Sequence, residues 1–283
     1  MSLLYFSKIK CKFEKRLMTV IIDFHTHIFP DKIAEHAMRV LSNDTGVPYD
    51  APATAESLLW TMDMCGIDRA VVLNIATKES QHASVLKFAK EVDSERLISF
   101  SSVMPESVSA LEYVWYVSDE GLKGLKFHPA LQRFYPDDEK YFPVYDLARA
   151  LNLIVVFHTG WDPSYPDELQ ASPESIVAVA ENFPGLRIVA AHLGGLRMAR
   201  DVLEKTAGKA EIYLDTAYCA DPWLDRSLFR DIIRKHGASK ILFGSDYPWH
   251  LPSKEIELIR SLDISEEEKS LILGENAASL LML

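Results

Sequence analysis

Cysteine is scarce in this chain of 283 residues, which contains only Cys11, Cys65 and Cys219. Three cysteines this far apart cannot form a disulfide framework, and they lack the close spacing of a thiolate zinc site. A hydrophobic share of 48% is instead sufficient for a large core. We therefore expect a globular protein of the reducing cytoplasm.

The sequence also lacks long apolar runs, excess positive charge and a dinucleotide-binding glycine motif. No run approaches the roughly eighteen apolar residues of a membrane-spanning helix. Lys and Arg number 30 against 41 Asp and Glu, a formal net charge of -11 that disfavours nucleic acid or anionic membranes as partners. No Gly-x-Gly-x-x-Gly follows a strand, which disfavours a nucleotide-binding open sheet. The expected partners are a small-molecule substrate and, for assembly, a second copy in a homodimer.

Residues 1–17 differ from the rest of the chain. They carry five basic side chains, but the apolar stretch Leu3-Leu4-Tyr5-Phe6 is shorter than a signal-peptide core, and no small-residue cleavage site follows it. Met18 directly precedes the first predicted strand, so a native start at Met18 is one interpretation. We predict an N-terminal extension over residues 1–17, not necessarily native, and a single domain over residues 18–283.

Short apolar runs occur eight times and alternate with longer segments of helical periodicity. The runs are residues 20–22, 70–73, 97–100, 124–127, 153–157, 188–191, 212–214 and 241–243. Nearly continuous Val, Ile and Leu is typical of strands buried on both faces of a parallel sheet. Eight strand–helix alternations in a domain of this length predict an α/β fold, the closed (β/α)8 TIM barrel.

Helical patterns lie between the runs, among them residues 55–65, 80–92, 144–151, 172–183 and 224–236. After the eighth strand, a further pattern at 254–262 is followed by Ser265 and Glu268, which have the spacing of a helix-capping box. The barrel is therefore expected to end in short C-terminal helices.

Polar motifs follow five of the predicted strands, and active sites of such barrels lie at the C-terminal ends of strands. The motifs are Asp23-Phe24-His25-Thr26-His27, Lys126-Phe127-His128-Pro129, His158-Thr159-Gly160, His192-Leu193-Gly194-Gly195 and Ser245-Asp246-Tyr247-Pro248. Alternate side chains of an extended segment point the same way, so His25 and His27 can bind one ion. His158 would add a third nitrogen, and Asp246 an oxygen. This ligand set predicts one divalent metal ion, with zinc as the first choice and manganese, iron or cobalt as alternatives.

In combination and order, these motifs resemble the amidohydrolase superfamily. Within it, they are similar to the amidohydrolase-related (amidohydrolase 2) family that includes 2-amino-3-carboxymuconate-6-semialdehyde decarboxylase and related nonoxidative decarboxylases. The resemblance covers residues 18–283. It implies that His25, His27, His158 and Asp246 bind one metal. It also implies catalytic roles for Asp246 and for His192, which would lie beside the metal-bound water.

Other candidates have supporting roles in this interpretation. Asp23 is expected to orient a histidine ring. Many two-metal members of the superfamily carry a carboxylated lysine after strand four. At Lys126, this modification would recruit His158 and His192 to a second ion. The favoured alternative leaves Lys126 as an ordinary ammonium or a partner of a substrate carboxylate, with His128 lining the pocket.

Several side chains in the loops near the barrel mouth could contact substrate. Packing within the loops, or exposure in the case of His250, is an equally good interpretation for each. They are Arg133, Trp161, Arg197, Trp223, Trp249 and His250.

The expected activity is hydrolysis of an ester, lactone or amide bond in a small carboxylated molecule, through a metal-activated water. Two features favour it over decarboxylation: Leu193 stands where the decarboxylase branch commonly has a first glycine, and strand four ends in Lys-x-His-Pro. The alternative is a nonoxidative decarboxylase of an aromatic or unsaturated acid, with His192 or Asp246 managing the proton. A barrel without catalysis that only binds ligands is the least favoured interpretation.

Overall fold

The computed structural model describes residues 20–283, so the prediction about residues 1–17 lies outside the described part of the chain. Strands lie at or next to the eight predicted positions. They are β1 (Ile22–Thr26), β2 (Arg69–Leu73), β3 (Leu97–Phe100), β4 (Gly124–Phe127), β5 (Ile154–Phe157), β6 (Arg187–Ala190), β7 (Ile212–Asp215) and β8 (Ile241–Leu242).

Helices separate the strands, and each predicted helical segment is confirmed to within two residues at either end. In chain order they are α1 (Asp31–Thr45), α2 (Ala55–Cys65), α3 (His82–Val92), α4 (Ala110–Asp119), α5 (Pro129–Gln132), α6 (Phe142–Ala150), α7 (Pro173–Asn182), α8 (Ala199–Asp201), α9 (Arg226–His236), α10 (Pro252–Ser261), α11 (Glu266–Ser270) and α12 (Asn276–Leu281). The capping box of Ser265 and Glu268 is confirmed at the start of α11. Within residues 20–283, none of the helices is both long and apolar enough to cross a bilayer.

The strands are all parallel and form two continuous stretches, β1 to β3 and β4 to β8. Backbone hydrogen bonds join the stretches at both seams. Lys126 N–H donates to the Ser101 carbonyl over 2.8 Å, and Phe24 N–H donates to the Phe243 carbonyl over 2.7 Å. The eight strands therefore close into the predicted (β/α)8 barrel.

The barrel has a packed interior that positions the site at one end. Ile22, Phe24, Phe100 and Val156 fill it together with residues from the other strands. At the N-terminal ends of the strands, helix α12 closes the barrel, because its Leu280 packs into this interior cluster. The opposite end, where the strands finish, is left for the polar motifs.

The first strand is longer than predicted. The apolar pattern predicted a strand over residues 20–22, whereas β1 spans Ile22–Thr26 and includes Asp23 and His25. Polar side chains are tolerated there because the backbone is paired on both sides, with Asp23 opposite Ala70 of β2. The His-x-His motif therefore begins inside a fixed strand rather than in a loop.

Candidate metal centre and active-site pocket

Two histidines and one aspartate converge at the end of β1. The Nε2 atoms of His25 and His27 lie 3.1 Å apart. Asp246 Oδ1 lies 3.5 Å from His25 Nε2 and 3.4 Å from His27 Nε2. Asp246 is brought there by pairing of the loop after β8 with β1, where its N–H donates to the His25 carbonyl over 2.9 Å.

Hydrogen bonds on the far side of each ring fix which nitrogen faces the centre. His27 Nδ1 lies 2.8 Å from the Leu73 carbonyl, which can only accept, so Nδ1 carries the proton. His25 Nδ1 lies 2.7 Å from the Asp215 carboxylate, which favours the same tautomer. Both Nε2 atoms then present lone pairs toward the Asp246 oxygen. Three acceptors this close are mutually repulsive unless a cation lies between them.

The spacing of these three atoms fits a divalent metal. Ligands about 2.0–2.1 Å from a tetrahedral ion lie roughly 3.3–3.4 Å from one another. The observed separations of 3.1, 3.5 and 3.4 Å bracket that value. Two imidazoles and a carboxylate suit zinc, manganese, iron or cobalt.

Burial keeps His25 unprotonated, and neighbouring groups keep Asp246 ionised. The pKa of His25 is lowered to about 4, first by burial and then by the charge of Lys126. Burial alone would raise the pKa of Asp246, but the imidazoles of His27, His25 and His192 around the carboxylate outweigh it and hold this pKa well below its usual range. Metal binding requires these protonation states.

His158 and His192 form a second pair beside this group. His192 Nε2 lies 3.0 Å from His158 Nδ1, while His192 Nδ1 faces the Ala217 carbonyl at 3.1 Å. The ring centres of His192 and His25 are 5.2 Å apart. His158 is thus next to the three converging residues but is not one of them, and its role as a metal ligand stays a prediction.

A third cluster joins His128, His158 and Asp162. Asp162 Oδ2 lies 3.5 Å from His128 Nε2 and 3.6 Å from His158 Nε2. The two rings are stacked, with centres 4.1 Å apart and planes 12° from parallel. The ligand atoms of the three residues lie within 4.8 Å of one another, but the lone pairs of two nearly parallel rings converge poorly on a single ion. We interpret this cluster as two imidazoles held by a shared carboxylate, and sequence reasoning missed Asp162 because it lies in a loop beyond the motif.

Lys126 lies on the floor of the site. Its Nζ is 3.4 Å from His25 Nε2, and the side chain is fully buried. Burial lowers the pKa of Lys126 to about 8, although Asp215 and Asp246 oppose the shift. An amine of lowered pKa has an increased neutral fraction at neutral pH.

The structure corrects the role of Asp23. Asp23 Oδ1 accepts from the backbone N–H groups of His25 and Ser245, at 3.2 and 2.9 Å, rather than from a histidine ring. Asp215 is the residue that orients the His25 ring, and it also accepts from the His192 N–H at 2.9 Å. Asp215 follows the seventh apolar run directly, so inspection of the end of every predicted strand could have found it.

A pocket that is open to solvent lies above these groups. Its floor contains the candidate ligands, Lys126 and His128, and its walls are mainly apolar and aromatic. Wall residues include Phe29, Leu41, Val47, Trp161, Leu196, Arg197, Tyr218 and Trp249.

Not every loop candidate reaches this pocket. Trp161, Arg197 and Trp249 line it, whereas His250 is buried behind it, with Nδ1 2.8 Å from Glu255 Oε1. Arg133 pairs with Glu168 on the surface. Trp223 donates from Nε1 to the Tyr218 carbonyl over 2.8 Å, which is a packing role.

A (β/α)8 barrel that gathers two imidazoles and a carboxylate at the C-terminal ends of its strands belongs to the class of barrel enzymes built around a metal centre. The sequence model of the amidohydrolase 2 family, which is described as Amidohydrolase, matches residues 22–283. The chain therefore belongs to this family. Among curated proteins, no relative matches the sequence.

Solved structures share the fold at low sequence identity. The 5-carboxyvanillate decarboxylase of Sphingomonas paucimobilis is 17% identical, with a TM-score of 0.73 over 94% of this chain and 99% of that one. A dihydroxybenzoic acid decarboxylase of Polaromonas, with bound manganese and the inhibitor 2-nitroresorcinol, is 18% identical, with a TM-score of 0.69 over 94% and 98%. An uncharacterised barrel protein of Bordetella bronchiseptica is 20% identical, with a TM-score of 0.73 over 93% and 98%.

Proposed function

We propose that this protein is a metal-dependent carboxy-lyase that removes carbon dioxide from a small aromatic carboxylic acid without oxidation. The alternative of the sequence analysis thereby replaces hydrolysis as the first choice. Two structurally similar family members are decarboxylases of aromatic acids, 5-carboxyvanillate and dihydroxybenzoic acid. Their similarity supports the proposal, and the pocket of this chain supplies the physical argument.

One observation carries the proposal: an ionic floor beneath aromatic walls. Phe29, Trp161, Tyr218 and Trp249 line the pocket above the group of His25, His27 and Asp246. Aromatic side chains provide flat, apolar contact area for a planar ring. A substrate with a flat, apolar ring matches the aromatic walls, and a carboxylate at one edge of that ring matches the ionic floor.

The reaction breaks one carbon–carbon bond and forms one carbon–hydrogen bond. The bond between the ring carbon and the carboxylate breaks, carbon dioxide leaves, and the electron pair stays on the ring carbon, which binds a proton. His192 and Asp246 both line the pocket. His192 would hold and deliver this proton, because Asp246 is ionised and faces the metal position. His25, His27 and Asp246, with His158 as a fourth ligand, would hold the metal, which would supply a positive charge to polarise substrate oxygens.

We propose manganese as the first metal to test and zinc as the second. The similar structure from Polaromonas contains manganese. The nitrogen and oxygen ligands of this site accept either ion.

Hydrolysis is the second candidate, and the position of Lys126 favours it. Lys126 Nζ lies 3.4 Å from His25 Nε2, where a carboxylated lysine could bridge two metals. His158 and His192, whose facing nitrogens are 3.0 Å apart, would then bind the second ion. Metal counting by elemental analysis distinguishes one ion per chain from two.

The two candidates are separated by a substrate panel. The purified protein, loaded with manganese or zinc, is incubated with hydroxylated benzoic acids and, in parallel, with small esters, lactones and amides. We expect carbon dioxide from at least one acid and no hydrolysis. Turnover of an ester, lactone or amide without carbon dioxide release from any acid would establish the second candidate instead.

A further inference from the structure

Four non-glycine residues of the pocket share a left-handed backbone conformation. His192, Arg197, Tyr218 and Asp246 have φ angles of 57°, 60°, 63° and 67°. This conformation is unfavourable for residues with a β-carbon and is concentrated at functional sites. His192 and Asp246 already have proposed catalytic roles. Arg197 and Tyr218 do not, although their backbones carry the same feature.

Arg197 lines the pocket and carries a positive charge. Its guanidinium lies 3.9 Å from the centre of the Trp161 ring, and no carboxylate within residues 20–283 pairs with it. The backbone holds the two side chains together, because Trp161 N–H donates to the Leu196 carbonyl over 3.1 Å. A fixed, unpaired guanidinium in a chain of net charge -11 is available for an anionic ligand.

Tyr218 lines the same pocket and carries a hydroxyl group. The hydroxyl forms no hydrogen bond with any described residue. Its ring packs against His250, with centres 5.1 Å apart, and Glu255 holds His250 in place. Burial raises the pKa of Tyr218 to about 12, against the opposing charge of Arg197. The phenol is therefore a proton-bearing donor at neutral pH.

We propose that Arg197 and Tyr218 form a carboxylate-binding subsite, which holds a second carboxylate of an aromatic diacid while the reacting carboxylate lies at the His25, His27 and Asp246 group. The inference rests on the proposed function, because it assumes an aromatic acid in this pocket. An arginine offers paired N–H donors that match a carboxylate, and the tyrosine adds a neutral O–H donor.

The test compares a monoacid with a diacid on the manganese-loaded protein. Isothermal titration calorimetry gives the Kd of benzoate and of benzene-1,3-dicarboxylate for the unchanged protein, Arg197→Gln and Tyr218→Phe. Arg133→Gln is the matched control, since Arg133 is also left-handed, with a φ of 57°, and stacks on Tyr165 at 4.3 Å, but lies outside the pocket. Circular dichroism and thermal melting establish that each variant is folded.

We expect the unchanged protein to bind the diacid about tenfold more tightly than the monoacid, as hydrogen bonds to charged groups typically allow. Arg197→Gln should abolish this preference, Tyr218→Phe should reduce it, and Arg133→Gln should preserve it. A preference that survives Arg197→Gln, or equal weakening of both acids, would overturn the subsite. A preference that depends on Arg197 in a protein releasing no carbon dioxide would uphold the subsite and overturn the proposed reaction.

Discussion

Asp215 Oδ2 lies 2.7 Å from Nδ1 of His25, and this contact aims the opposite ring nitrogen at the candidate metal position. We predict that Asp215→Asn weakens manganese binding about 10- to 100-fold, the usual effect of removing a carboxylate that orients a ligating histidine. Competition with a coloured chelator measures the affinity. Asp263→Asn, at an exposed aspartate, is the control. Unchanged affinity in Asp215→Asn would mean that His25 is not a ligand.

Metal removal should lower the stability of the folded protein. A ligand bound only by the native state at 100 times its Kd adds about 2.7 kcal/mol, which for a chain of this size corresponds to a melting temperature higher by roughly 5–10 °C. Thermal melts with chelator and with added manganese measure the difference. His27→Ala should abolish it, because that variant removes one of the three converging ligands. An equal manganese effect in the unchanged protein and in His27→Ala would place the ion elsewhere.

Buried His82 should make stability decrease at acid pH. His82 Nε2 accepts from the Met104 N–H over 2.7 Å, and burial lowers the pKa of His82 below its ordinary value of 6.5. A lowered histidine pKa means that the unfolded chain binds the proton more tightly. The stabilising contribution is therefore complete above about pH 6.5 and is lost as the pH falls below it.

The measurement for His82 is urea unfolding of the unchanged protein and His82→Gln at pH 7.5 and 5.5. The free-energy difference between them should shrink at the lower pH. The exposed His36→Gln variant should show no such change. If the free-energy difference between the unchanged protein and His82→Gln is the same at both pH values, His82 is not the cause of the lower stability at acid pH.

Gly160 should not tolerate a side chain. Its φ is 94°, and a β-carbon would lie 2.2 Å from the Leu196 backbone nitrogen, at the junction that holds Trp161 beside Arg197. The added methyl group of Gly160→Ala must push the Gly160 backbone away from the Leu196 backbone. We therefore expect the free energy of unfolding to fall by several kcal/mol, which is about the largest loss that single substitutions usually cause. Gly121→Ala is the matched control, since its φ of 77° is similar but its surroundings are open. It should cost only about 1–2 kcal/mol. Equal costs would show that the close approach is unimportant.

The fold was largely predictable, because strands buried in a parallel sheet are encoded by a simple sequence pattern of repeated runs of Val, Ile and Leu. The C-terminal end of β1 was not predictable from this pattern, because Asp23 and His25 are polar. They lie in a strand because the backbone of β1 is paired with its neighbours on both sides.

The converging residues of the site were predictable because they lie in motifs next to strands. Asp162, Tyr218 and Glu255 were not, because they come together only through the folding of loops. Hydrolysis was favoured from Leu193 and the Lys-x-His-Pro motif, neither of which reveals the aromatic walls of the pocket.

The most direct test of the account is the fate of a carboxyl-¹³C-labelled aromatic acid, chosen from the panel, in D₂O. Mass spectrometry measures the released carbon dioxide and the product. We predict one ¹³CO₂ for each substrate consumed and one deuterium on the carbon that lost the carboxylate. Chelation and Asp246→Asn should each abolish both signals. A metal-dependent activity that instead cleaves esters, lactones or amides, with no ¹³CO₂ from any labelled acid, would contradict the account.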